Sequence, residues 1–311
     1  MKRFTLIWTM LSILLISACG NGEAGDTGAE EDGREQIAVT TTFLYDMVDV
    51  LEEGVNGFNV ELVIPAGEDP HVYEPTSSDL RTFNEADVII YQGLDFEGRM
   101  VDVLENGIAV AENLSNEDLE TMKEEGGEVI DPHFWFDIDL YKVAMQNVMD
   151  ILVENHPDGE AQYQENLDSY FNELDELDQY VSDRIEEIPE QSRIVVTPHD
   201  AFGYLASSYD IEVHAPQGFS TDSEVSNNQI QQTADLIVEN DINAIFVETT
   251  TNPDRMQRLQ EVVESEGGEV EVVSGGDDVL LSDSLAPEGE TGDTYITMFR
   301  HNIDVIADHL Q

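Results

Sequence analysis

Only one cysteine occurs in the 311 residues, Cys19, and it lies too near the start to serve a folded domain. Disulfides, thiolate zinc sites and cysteine nucleophiles are therefore excluded from everything downstream. Positive charge is nearly as scarce: 12 Lys and Arg stand against 68 Asp and Glu, a formal net charge of -56. Without a basic stripe to neutralise phosphates, nucleic acid is excluded as a partner. The acids are spread along the whole chain rather than gathered at one place. This reads as a surface adapted to high salt, which screens its self-repulsion, more than as a diffuse attractor of cations, and it implies a halophilic or haloalkaliphilic source. Two hydrolase signatures are missing as well: there is no HExxH helix and no nucleophile elbow.

What is present begins with a secretory signal. Lys2 and Arg3 precede an apolar run from Phe4 to Ile16, too short to span a bilayer, and Ser17-Ala18-Cys19-Gly20 supplies small residues at a cleavage point. Ile16-Ser17-Ala18-Cys19 resembles a bacterial lipobox, which implies removal of residues 1–18 and a lipid on Cys19; ordinary cleavage leaving a free thiol is the alternative. Residues 19–36 are acidic and Gly-rich with almost nothing apolar, so they are expected to form a flexible tether. A leashed domain works at the extracytoplasmic face of the bacterial cell membrane, in capture and delivery more than in structure.

From Ile37 onward, β-rich runs alternate with amphipathic segments. Strands are expected at Ile37–Thr42, Asn59–Ile64, Asp87–Tyr91 and Gly107–Val110, with helices at Leu44–Leu51, Phe96–Leu104 and Leu140–Glu154. In the second half, strands at Arg193–Thr197, Glu212–Ala215, Ala244–Glu248 and Glu269–Val273 alternate with helices near Ala201–Ser208, Asn228–Glu239, Pro253–Glu266 and Thr294–His309. Between the halves, Tyr163, Leu167, Tyr170, Leu174, Leu177, Val181 and Ile185 recur every three or four residues with no Gly or Pro break. They predict one rigid helix about 40 Å long. The fold class is α/β: two lobes, each a mainly parallel sheet with flanking helices, at residues 37–157 and 189–311, joined by a long helix over 158–188.

Three of the seven histidines sit in Pro-His dipeptides: Pro70-His71, Pro132-His133 and Pro198-His199. Proline fixes φ and removes a backbone donor, so each imidazole is carried on a stiff turn. With Asp283, in the acidic turn Ser282-Asp283-Ser284, these residues lie where the carboxyl ends of parallel strands converge on a cleft. Three imidazoles and one carboxylate contain no soft sulfur and are not all oxygen, which fits Zn2+, Mn2+ or Fe2+. His156, His214, His301 and His309 lack such turns and are expected to be structural. The aromatic block Phe134-Trp135-Phe136 could wall the site. Glu248, at the end of an apolar strand, is either the acceptor behind a ligand imidazole or a neighbour of a helix cap.

At these residues a resemblance appears. Asp69-Pro70-His71-Val72-Tyr73-Glu74-Pro75, Gly93-Leu94-Asp95-Phe96-Glu97-Gly98, Asp131-Pro132-His133-Phe134-Trp135-Phe136-Asp137, Thr197-Pro198-His199-Asp200-Ala201-Phe202-Gly203-Tyr204, Gln217-Gly218-Phe219-Ser220-Thr221 and Ser282-Asp283-Ser284 resemble, in order, the solute-binding lipoproteins of manganese and zinc ABC transporters, the TroA-like family. The resemblance implies one divalent cation held between the lobes by His71, His133, His199 and Asp283, and a membrane permease as partner to a monomeric carrier. Manganese members often carry Glu at the third position, where this chain has His199. Zinc members often carry a His-rich loop before the second histidine, whereas Glu112 to Val129 has no histidine. The cation therefore stays open between Zn2+ and Mn2+, with Fe2+ third. Four protein ligands point to capture, not catalysis; a lipid-anchored metallohydrolase with Asp283 or Glu248 as base, or an adhesin with a structural metal, are the alternatives. Release is expected to proceed by tilting or loop movement that withdraws second-lobe ligands such as Asp283, limited in amplitude by the long helix.

Overall fold

Apolar runs become strands covered on both faces in the first half of the chain. The computed structural model describes residues 33–124, 127–276 and 278–311. The signal peptide, Cys19 and the tether up to residue 32 lie outside the described residues. Strand β1 (Glu35–Val39) leads through α1 (Thr42–Glu52) to β2 (Phe58–Leu62), and α2 (Ser77–Glu85) leads to β3 (Val88–Tyr91) and the short β4 (Ile108–Ala109). The strands form a parallel sheet in the order β2-β1-β3-β4. Ile37, Ala38 and Val39 are essentially inaccessible, as expected for a parallel strand covered on both faces. Antiparallel β5 (Thr121–Glu124) and β6 (Gly127–Ile130) form a hairpin before α3 (Ile138–Asn155), which Asp137 caps through Leu140 N.

The long helix is α4 (Glu160–Glu186), and the seven apolar positions anticipated for it are all buried. It packs on α1 and α3 of the first half and on α8 (Tyr295–Leu310) of the second. Polar ties fix both ends: Tyr163 Oη donates to Glu52 Oε1 at 2.5 Å, and Arg184 reaches Asp304 at 2.8 Å and Asp308 at 2.7 Å. In the second half, β7 (Ile194–Val196) precedes α5 (Gly203–Ser208) and pairs in parallel with β8 (Glu212–His214). After α6 (Asn227–Glu239), β9 (Ala244–Phe246) lies beside β7 and pairs in parallel with β10 (Glu271–Val273), reached through α7 (Asp254–Ser265). Single parallel bridges, His199 to Gln217 and Glu248 to Leu280, extend the two strand pairs beyond their carboxyl ends. This is an α/β fold of two lobes joined by a long helix, and one hydrophobic cluster runs from Ile37 through α3 and α4 to Leu310.

Three expectations are corrected. Glu35 and Gln36 belong to β1 rather than to the tether, because parallel pairing with Phe58 and Asn59 holds them through the backbone, whatever their side chains. Residues 96–104 do not form an α-helix: only a 3-10 helix, Gly98–Val103, occurs there. Glu97 has non-helical backbone angles because its carboxylate turns inward to accept from Gln92 N at 2.7 Å and Thr40 Oγ1 at 2.6 Å. The strand expected at Gly107–Val110 shrinks to Ile108–Ala109, and a 3-10 turn takes over at Val110. Helix α2 was not anticipated. Its one buried residue is Phe83, too little for an apolar stripe, although Thr76 and Asp79 form a capping box legible as Thr-x-x-Asp.

Candidate metal centre

Each Pro-His turn is locked by the side chain two residues before its histidine. Asp69 Oδ1 accepts from His71 N at 3.0 Å, Asp131 Oδ1 accepts from His133 N at 2.9 Å, and Thr197 Oγ1 donates to His199 O at 2.8 Å. The turns bring His71, His133 and His199 together with Asp283, one donor atom from each lying within 4.8 Å of all the others. The four residues are 0–2 % exposed. His71 Nε2 and His133 Nε2 face each other at 3.3 Å, His133 Nε2 is 3.4 Å from Asp283 Oδ1, and His199 Nε2 is 3.3 Å from Asp283 Oδ2. His199 Nε2 and Asp283 Oδ1 nevertheless have no hydrogen-bond partner among the described residues. Buried ligand-capable atoms held this close, two of them without a hydrogen-bond partner, converge on a common point, as cation ligands do.

Carboxylates stand behind two of the rings. Asp131 Oδ1 is 2.6 Å from His133 Nδ1, and Glu248 Oε2 is 2.5 Å from His199 Nδ1, so each imidazole turns Nε2 toward the cluster. Ser282 Oγ donates to the same Glu248 oxygen at 3.2 Å. Glu248, for which two roles were anticipated, thus faces the His199 ring. Asp131 was missed as a ring partner, although its place in Asp-Pro-His was visible.

Protonation follows from these neighbours. Burial pushes His71 down to about 3, so that imidazole is neutral. Burial also works against charge on His133, but Asp131 and Asp283 outweigh it and raise the ring to about 9. His199 is likewise carried well above the usual imidazole range against burial, by Asp283 and Glu248. Burial would raise Asp283, yet His199 and His133 hold it well below the ordinary carboxylate range.

Aromatic side chains wall the cluster. Phe96 meets the His71 ring edge-on at 4.9 Å, and Trp135, from the anticipated aromatic block, meets His133 at 5.2 Å. Trp135 Nε1 also donates to Ser282 O at 3.0 Å, beside Asp283. The Asp283 turn is clamped from three sides. Asn302 on α8 bonds both backbone groups of Leu281, Leu280 N donates to Val247 O after β9, and on the first half Thr42 Oγ1 accepts from Leu285 N at 2.8 Å while Ser284 Oγ accepts from Gly67 N at 2.8 Å. The other four histidines stay outside the cluster. His156 packs edge-on against Phe58, His214 pairs with Glu212, His301 meets Val279 O, and His309 stands 4.0 Å from Asp278.

The model of the zinc-uptake complex component A family, ZnuA, described as periplasmic, matches residues 37–309. The chain belongs to this family. Among ZnuA-family relatives, the manganese-binding lipoprotein MntA of Bacillus subtilis is 32% identical over 319 residues, covering 100% of both chains. The periplasmic zinc-binding protein TroA of Treponema pallidum has a solved structure that superposes with a TM-score of 0.84 at 30% identity, covering 89% of this chain and 99% of that one. A second TroA structure, concerned with metal-binding specificity, reaches a TM-score of 0.87 at 49% identity, covering 89% of this chain and 100% of that one.

Proposed function

We propose that this ZnuA-family chain captures one divalent transition-metal ion, Zn2+ or Mn2+, between its lobes at the extracytoplasmic face of the membrane and delivers it to an ABC permease. The observation that carries the reading is the convergence of three buried Nε2 atoms and the Asp283 carboxylate. His71, His133, His199 and Asp283 are the ligands in this reading, with Asp131 and Glu248 orienting two of the rings. The donor separations of 3.3, 3.4 and 3.3 Å suit an ion about 2.0–2.1 Å from each donor, for which tetrahedral edges come to roughly 3.3–3.4 Å. The names of the relatives favour manganese and zinc alike, and an N3O donor set accepts both.

Delivery implies a carrier that stays near its permease. Lipidation of Cys19 would supply the anchor, residues 20–34 the leash, and a monomer suffices because one chain holds all four ligands. The lobes divide at 37–157 and 189–311 with the linker over 158–188, and the acidic surface suits a halophilic setting. Hydrolysis has less support: four protein donors leave no position for a reacting water in a tetrahedral site, and the relatives are binding proteins. Titration calorimetry of cation-stripped protein with Zn2+ and Mn2+ tests the reading. One saturable site per chain, weakened in both His199→Ala and Asp283→Ala, is expected; no saturation, or binding indifferent to both substitutions, would sink it.

A further inference from the structure

The loop after β8 joins the two halves directly beside the ligand cluster. Gln217 is bridged to His199 and clips its own loop, its Nε2 donating to Thr221 O at 2.9 Å and Ser223 O at 2.6 Å, while Arg255 on α7 holds its Oε1. So braced, the loop presents Thr221, which is only 8 % exposed between an exposed Asp222 and the half-buried Ser220. Thr221 Oγ1 donates across the cleft to Asp69 Oδ2 at 2.6 Å. The other oxygen of that carboxylate accepts from His71 N. One unbroken path therefore links a ligand of each half: His199, Gln217, the loop, Thr221, Asp69, His71. Farther out, Arg99 bridges Glu74 of its own half at 3.0 Å and Asp222 of the other at 2.5 Å.

We propose that Thr221 is a positioning residue for metal binding: its hydroxyl on Asp69 latches the second half over His71 and sets how long the ion stays, with Arg99 and Asp222 as a weaker outer tether. The inference rests on the metal-carrier reading above. A hydrogen bond to a carboxylate, largely out of water, is among the stronger kinds, and breaking it costs only the closed form. Arg99 and Asp222 are exposed, so their bridge is screened by salt and holds little by itself. Neither contact uses an atom of the four clustered residues. Their loss should therefore change dissociation far more than association, since the encounter uses the open form.

The test measures Zn2+ dissociation by rapid mixing of loaded full-chain protein with a chelator, together with the melting of the cation-free protein. Thr221→Val, which keeps the shape and loses the hydroxyl, should speed dissociation about tenfold with little change in association rate or cation-free melting. Thr221→Ser should restore the slow rate. Thr221→Ala, smaller and easier to fold, is measured in parallel. Arg99→Gln should speed dissociation about twofold at low salt and not at all near 1 M salt. Dissociation at the wild-type rate in both Thr221→Val and Thr221→Ala overturns the latch. So does a failure of Thr221→Ser to rescue, or a fall in cation-free melting that accounts for the faster loss. A wild-type chain that takes up no Zn2+ or Mn2+ overturns the carrier reading and the latch with it, whereas wild-type binding with unchanged variants overturns the latch alone.

Discussion

At the residue scale the chemistry lies in how carboxylates hold imidazoles. In the cation-free site His133, raised to about 9, and His199, raised well above the usual imidazole range, keep their protons at pH 7, while His71 is neutral. An ion must displace both protons, so affinity should climb with pH by roughly a hundredfold per unit near neutrality and less steeply once pH passes the His133 value of about 9. Calorimetry in buffers of different ionisation heat should count about two protons released per ion at pH 7; a heat independent of buffer would refute the assignment. The same sign governs cation-free stability. The His133 pairing is fully stabilising below the ordinary imidazole value of 6.5 and is lost as pH rises through about 9. Asp131→Asn keeps the turn but removes the charge behind His133, and should cost about 10–100-fold in metal affinity and one of the released protons. The Pro-His dipeptides made the clustered histidines themselves legible. Their supports were less so, because Glu248 lies 49 residues from His199 and only the folded chain joins them.

At the element scale, helices with a periodic apolar face were readable and segments governed by a buried polar group were not. The α4 stripe repeats every three or four residues, and the folded helix buries the positions the spacing marked. Truncating one of them, Leu174→Ala, should cost about 2–5 kcal/mol, seen as a lower urea midpoint with an unchanged slope. The segment around Phe96 carried a similar apolar pattern, yet Gly93, Leu94 and Asp95 all take positive φ there, with the Glu97 carboxylate tying down Gln92 N and Gly93 N. Two consecutive non-glycine residues in the left-handed region are costly, so something fixed must hold them. Burial raises the Glu97 pKa, and its hydrogen bonds, from Thr40, Gln92 N and Gly93 N among others, work in the opposite direction. Glu97→Ala should therefore release the loop, carry Phe96 off His71 and weaken metal binding. A crystal structure of the variant with Phe96 still seated would contradict that account.

At the scale of the whole molecule, the two halves share more than a linker. One apolar cluster spans both, so unfolding in urea should be a single transition, with fluorescence of Trp135 between the halves coinciding with loss of helix. The shared contacts also bear on release. Asp283 belongs to the second half by sequence, and withdrawing it with that half was the expectation, but Thr42 and Gly67 bind the residues next to it from the first half. The His199 segment is tied across as well, through Thr221 to Asp69 and through Tyr204 Oη to Asp131 O at 2.9 Å, so opening must break these contacts as well as those of the Asp283 turn; a cation-free structure with Asp283 alone displaced and these bonds intact would contradict movement of the second half as a unit. Charge acts on the same interface. With a net charge of -56, both halves repel each other and themselves, and the Debye length shrinks from about 10 Å at 0.1 M salt to about 3 Å at 1 M. Added KCl should thus raise the melting temperature of the cation-free protein. The gain should be larger than that from binding one doubly charged ion if the surface is what limits stability, and smaller if the empty ligand cluster is. Melting curves at low and high KCl, with and without Zn2+, separate these two cases.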